Sequence, residues 1–141
     1  MSQGGKIYRE QEVQAPAWAT FPFGKVSGAV EQQESQGRRG IAGPQTRYGQ
    51  AHGLMQVQDA TGEEMARKLG IPWRPDLMRG TSDEAAQYQR ARGNDYLQEG
   101  FDKTGNIRDA LRYYHGGPNR RLWGRKTNSY ADTILRRLGG N

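Results

Sequence analysis

Apolar positions along the chain repeat at helical spacing. Val26, Ala29, Val30 and Gln33 share one face of a helix beginning near Lys25, Glu34 borders that stripe, and Gly37 and Gly40 end it. Met65 and Leu69 mark the inner face of a second helix, from Asp59 or Thr61 to Leu69, with Gly70 as its stop. Pro72 and Pro75 enforce a connection. Thr81-x-x-Glu84 reads as a capping box opening a longer helix over about residues 82–99. Asn106 caps another helix, with Ile107, Ala110, Leu111 and Tyr114 along one side. Tyr130, Ile134 and Leu138, spaced i, i+4, i+8, predict a last helix over residues 129–138. Alternation of period two is almost absent, so the expected fold is mainly α.

Two stretches escape this periodicity. Residues 37–53 carry Gly37, Gly40, Gly43, Gly49 and Gly53 with Pro44, which predicts a long irregular loop. Loops of that length are uncommon without a functional reason. Residues 1–24 are rich in Gln, Gly and Pro, with scattered aromatics. They read as an extended arm packed through Trp18 and Phe21, or as the end of a linker, which leaves residues 25–141 as the domain proper.

Composition narrows the class. The chain has 141 residues, enough for one core. No apolar run exceeds the three residues Ala17-Trp18-Ala19, so no transmembrane helix is expected. The N-terminus has no apolar h-region, so no secretion signal is expected either. Cysteine is absent, which excludes disulfides, thiolate metal sites and a Cys nucleophile. His52 and His115 have no helical i, i+4 partner, so neither metal nor cofactor is expected, and His52 reads as a loop histidine without a partner.

The net charge of +6 lies entirely in residues 106–141, with eight basic and two acidic side chains. Arg outnumbers Lys 16 to 5, which favours planar contacts with carboxylates or phosphates. The pattern fits a wall facing a polyanion, either nucleic acid or a carboxylate-bearing cell-wall polymer, and equally a solvated helix face. A basic nucleic-acid-binding module gripping through Trp123 and Tyr130 is the reading from a different class. No helix-turn-helix or zinc signature supports it.

Three polar segments carry candidate chemistry. Gln33-Glu34-Ser35 places a carboxylate beside an apolar stripe, where desolvation raises its pKa and makes it a proton donor near neutrality. Gly53-Leu54-Met55-Gln56-Val57 suggests backbone packed at a cleft floor, with Gln56 pointing into the cleft. Tyr113-Tyr114-His115-Gly116-Gly117-Pro118 ends a helix and places a phenol within reach of a carboxylate. Taken singly, each also reads as an ordinary surface glutamate, a turn before a helix, and a core tyrosine.

In this order the QES, GLMQ and Tyr-x-x-Gly-Pro segments resemble the soluble lytic transglycosylases of glycoside hydrolase family 23, over about residues 25–138. The resemblance implies a lysozyme-like single domain with a substrate cleft, shared with goose-type lysozyme. It implies Glu34 as the single catalytic acid/base, Gln56 against the sugar N-acetyl group, and Tyr114 as the phenol that orients the glutamate. Ser35, Met55, Gln58 and His115 would complete the substrate site, and Thr61 matches a Thr common after GLMQ. The implied reaction cuts the β-1,4 MurNAc–GlcNAc bond of peptidoglycan strands and leaves 1,6-anhydro ends. A monomeric domain is expected, without nucleic-acid partner or membrane insertion.

The chain also departs from that family. His115 replaces an Asn, Gln58 a frequent Met and Asp59 a frequent Pro, and the loop after Glu34 is longer and carries Arg38, Arg39 and Arg47. The His-Gly-Gly-Pro variant is similar to transglycosylase domains within phage virion proteins, which implies a virion-associated enzyme acting on the bacterial wall. A second carboxylate holding water, Asp59 or Glu63, would make the enzyme a hydrolytic muramidase. Glu31 reads as a solvated helix residue, and the basic run Arg120, Arg121, Arg125 and Lys126 is expected to meet peptide-stem carboxylates or other wall anions.

Overall fold

The computed structural model describes residues 22–139. Among them six α-helices and one short strand pair follow in the order α1 (Phe23–Ser35), β1 (Ala51–His52), β2 (Val57–Gln58), α2 (Asp59–Leu69), α3 (Pro75–Met78), α4 (Asp83–Thr104), α5 (Ile107–Gly116) and α6 (Arg125–Gly139). A 3-10 turn at Arg120–Leu122 joins the last two helices. The fold is mainly α, as the periodicity implies. Helix α1 begins inside the stretch assigned to the N-terminal arm, and the expected packing of Trp18 and Phe21 lies outside the described residues. No helix here is long and apolar enough to cross a membrane.

Helix α4 forms the spine, packed against α2, α3 and α5, and α6 closes the bundle against α5 and α1. Its N-cap is Ser82, whose hydroxyl accepts the Ala85 N–H at 3.0 Å. The cap therefore sits one residue later than the predicted Thr81, and with Ala85 at the third helical position it is a simple serine cap and not a capping box. Asn106 caps α5 as expected, accepting the Asp109 N–H at 2.8 Å. Caps of this kind contribute about 1 kcal/mol each.

The core joins Val26 and Val30 of α1, Leu54 and Met55, Leu97 and Phe101 of α4, Leu111 of α5 and Ile134 of α6. Each such side chain stabilises the fold by about 1.5–3 kcal/mol. Gly93 makes part of this possible, because a Cβ on α4 there would overlap the Met55 side chain. Leu69, expected inside, is 52% exposed. Helix α2 ends on it, and Gly70 turns the chain away in the left-handed region. The inner face of α2 is made instead by Gly62, Met65 and Ala66, with the Trp73 ring laid against Gly62.

The 37–53 segment is less irregular than its glycines suggest. Thr46 and Gly49 exchange backbone hydrogen bonds at 2.9 and 3.0 Å around Arg47-Tyr48. Gly43 N–H donates to Ala51 O at 2.9 Å, and Gly53 N–H to Ile41 O at 2.9 Å. Arg39 reaches across to Thr81 O and Asp83. The loop is a bonded flap over the β1–β2 turn.

Candidate active site

Glu34 lies in the last turn of α1. The helix ends immediately after it because Gln36 turns left-handed (φ 57°) and returns its N–H to Glu31 O and Gln32 O. Ser35 is fully buried, accepts the Gly37 N–H at 3.1 Å and donates to Glu31 O at 3.2 Å. Its hydroxyl serves the helix end.

The Glu34 carboxylate accepts a hydrogen bond from the Tyr130 hydroxyl at 2.8 Å. Burial pushes its pKa from 4.5 to about 7, against the opposing pull of that phenol. Two forces therefore act on one group: desolvation favours the acid, and the hydrogen bond favours the carboxylate. The result is a group able to give and take a proton near neutrality.

Tyr114, the tyrosine expected to orient the glutamate, does something else. Its hydroxyl donates to Met55 O at 2.7 Å and so ties α5 to the 53–56 turn. The orienting phenol belongs to α6. Tyr130 is spaced with Ile134 and Leu138 and reads from sequence as one more apolar contact. It is 8% exposed, which also removes it as a nucleic-acid stacking platform. Replacing Tyr130 by Phe is expected to lower kcat about tenfold, the scale of one hydrogen bond to a charged group. The same change should move the alkaline limb of the activity profile to higher pH, since the lost bond favoured the ionised form. A pH–rate series on wild type and variant checks both.

The floor beneath Glu34's helix is built around the 53–56 turn. Gly53 adopts φ 87°, and a Cβ there would press on Gln89. Leu54 and Met55 are fully buried. Met55 therefore belongs to the core. Gln56 is also left-handed (φ 51°), and its side-chain amide donates to Ile41 O and Gly53 O, each at 3.1 Å. It braces the flap where the sequence suggested a side chain free for a sugar. Gln58, on β2, has a buried amide oxygen with no partner among the described residues.

His115 is exposed, its ring lies 4.6 Å from that of Tyr130, and its Nδ1 is 2.9 Å from the Thr127 hydroxyl. Burial of part of the ring, and then the charge of Lys126, lower its pKa. His115, Tyr130 and Glu34 thus form one contact series from solvent to the carboxylate.

The family model for the transglycosylase SLT domain matches residues 25–135. The chain belongs to the transglycosylase SLT domain family. It is also similar to a protein named "Transglycosylase" from Enterobacteria phage PRD1, 35% identical over 113 residues. The match covers 80% of this chain and 36% of the phage protein, so the chain spans about a third of that relative's length.

In this SLT domain two of the other acidic candidates, Glu31 and Asp59, are already engaged. Glu31 is paired with Arg90 at 2.8 and 3.1 Å and is not a solvated residue. Asp59 holds the Arg79 guanidinium at 3.0 Å and lies 2.9 Å from Nδ1 of His52. His52 is buried at 3% exposure, so the loop histidine does have a partner. Glu63 is exposed on α2. Among the described residues no three His, Asp or Glu side chains converge as metal ligands would.

Sequence reasoning missed Gln89. It is fully buried on α4, and its amide meets four backbone groups: Gly40 N–H and Leu54 N–H at 3.0 Å, Leu77 O and Gly80 O at 2.8 Å. One side chain thereby joins the flap, the 53–56 turn and the α3–α4 corner.

Proposed function

We propose that this SLT domain is a peptidoglycan lytic transglycosylase in which Glu34 acts first as acid and then as base. The carrying observation is the largely buried carboxyl of Glu34, raised to about 7 by burial and held by one phenol, Tyr130. Protonated Glu34 donates to the glycosidic oxygen of a β-1,4 MurNAc–GlcNAc link. The substrate's own N-acetyl group stabilises the developing positive centre at C1, a route that bypasses the usual second carboxylate. Glu34, now ionised and held by Tyr130, takes the proton of the muramic C6 hydroxyl. That oxygen closes on C1 and leaves a 1,6-anhydro end, with no water consumed. Proton transfer of this kind supplies about 10²–10⁴ in rate, or roughly 3–5 kcal/mol of barrier. Binding and alignment of several sugars must supply the rest.

The pairing of Asp59 with Arg79 and His52, and of Glu31 with Arg90, supports a single-carboxylate scheme, because neither is free to activate a water; exposed Glu63 is left as the carboxylate of the hydrolytic alternative. Similarity to a phage transglycosylase supports work on a bacterial wall as part of a virion protein. Digestion of isolated sacculi followed by mass spectrometry of the fragments tests the chemistry. Fragments one water lighter than reducing muropeptides are expected. Ordinary reducing muramic acid ends would make the enzyme a hydrolase.

A further inference from the structure

The basic C-terminal quarter is not uniform once its contacts are resolved. Arg108 pairs with Asp132 at 3.2 Å. Arg112 and Arg120 both pair with Asp109 and both lie over the Trp123 ring, at 5.1 and 4.8 Å. The indole N–H donates to Gly117 O at 2.8 Å, which pins the stack to the end of α5. These arginines serve the fold. At the far end of α6, Arg136 and Arg137 bond the uncharged Thr133 and Gln33 side chains. Arg121, Arg125 and Lys126 are different from the paired arginines. All three are exposed, and none has a carboxylate at ion-pair distance among the described residues. Most cations in the rest of the described chain do have one, as Arg39, Arg67, Lys68, Arg74, Arg79, Arg90 and Arg92 illustrate.

Their position gives the cluster a purpose. Lys126 and Tyr130 are i, i+4 on α6, so they lie on one side of the helix, one turn apart. Lys126 is close enough to His115 for its charge to act on that ring, and His115 stacks on Tyr130, which holds Glu34. Lys126 therefore stands beside the solvent side of the acid–base site, and Arg125 and Arg121 precede it in the chain. A glycan strand lying over Glu34 would present its muramic side groups to this ledge.

We propose that Arg121, Arg125 and Lys126 form a subsite for the peptide-stem carboxylates of a muramyl residue next to the cleaved bond. The inference rests on the transglycosylase reading above and names what the site recognises beyond the sugar. The ledge acts on binding, through charge, and leaves the proton transfers to Glu34.

The test compares sacculi carrying peptide stems with glycan strands stripped of stems by an amidase. The proteins are wild type and Arg121→Gln/Arg125→Gln/Lys126→Gln in the full chain. The ratio of kcat/KM on stem-bearing to stripped glycan should fall about tenfold in the triple variant, the scale of three exposed ion pairs. The change should sit in KM, and the wild-type preference for stems should weaken as salt rises. An unchanged ratio overturns the proposal, as does an equal loss on both substrates. Loss of salt-sensitive DNA retention with the ratio unchanged overturns it in favour of a nucleic-acid surface. A wild-type protein inactive on both glycans would instead remove the transglycosylase reading beneath it. Circular dichroism of the variant confirms that the exposed substitutions leave the helices formed.

Discussion

A Glu34→Gln protein is expected to lose about 10²–10⁴ in kcat on sacculi while keeping its fold, the range for removing one general acid–base group. It is also expected to become more stable than wild type above neutral pH. Glu34 has its carboxyl pKa raised from 4.5 to about 7 by burial. Between those values the native state binds a proton that the unfolded chain does not. Wild-type stability therefore falls as pH rises from about 4.5 to about 7, then levels off as far as this group is concerned. Glutamine is neutral throughout and can still accept the Tyr130 hydroxyl through its amide oxygen. The variant should match wild type near pH 4 and exceed it at pH 8 by up to about 3 kcal/mol, at about 1.4 kcal/mol per pH unit separating the two values. Denaturant melts of both proteins at the two pH values check the sign. A gain that is equal at both would mean that the charge of Glu34 is not what burial penalises.

The largest loss of stability is expected at Gln89, outside the catalytic group. Gln89→Leu keeps a side chain of similar bulk but strands the Gly40 and Leu54 N–H groups and the Leu77 and Gly80 carbonyls. Each stranded group costs about 1–3 kcal/mol, and partial relaxation brings the expected total to about 3–5 kcal/mol. For a chain of this size that is on the order of 10–20 °C in Tm. Gln89→Glu separates hydrogen bonding from shape. Its second oxygen would face Leu77 O and Gly80 O, so it fits only when protonated. That variant should recover stability as pH falls, which Gln89→Leu should not. Thermal melts at pH 5 and pH 8 distinguish the two. The effect reaches the site as well, because the same amide holds the flap over the 53–56 turn.

These two residues show what was legible in the sequence. Helix positions follow from local spacing, and α1, α2, α4, α5 and α6 lie close to where apolar periodicity and caps put them. Helix α3 was hidden because a four-residue element opening on Pro75 has no period to read. Glu34 was legible because it borders an apolar stripe on its own helix. Its partner was not: Tyr130 lies 96 residues further on, and a phenol that completes an apolar stripe looks like any core aromatic. Gln89 and the His52–Asp59–Arg79 group were invisible for the same reason. Their partners are brought together by packing, and a polar residue at a helix interior position carries no sign of whether its bonds are made across the core. Resemblance supplied a tyrosine for the glutamate but pointed to Tyr114, which binds the Met55 carbonyl instead.

The proposed proton shuttle depends on a carboxyl that stays protonated where ordinary glutamates are ionised. Carbon-13 NMR titration of the Glu34 carboxyl in the intact chain, assigned by its loss in Glu34→Gln, measures this directly. A midpoint near 7 is predicted; a midpoint at the usual 4.5 would contradict it.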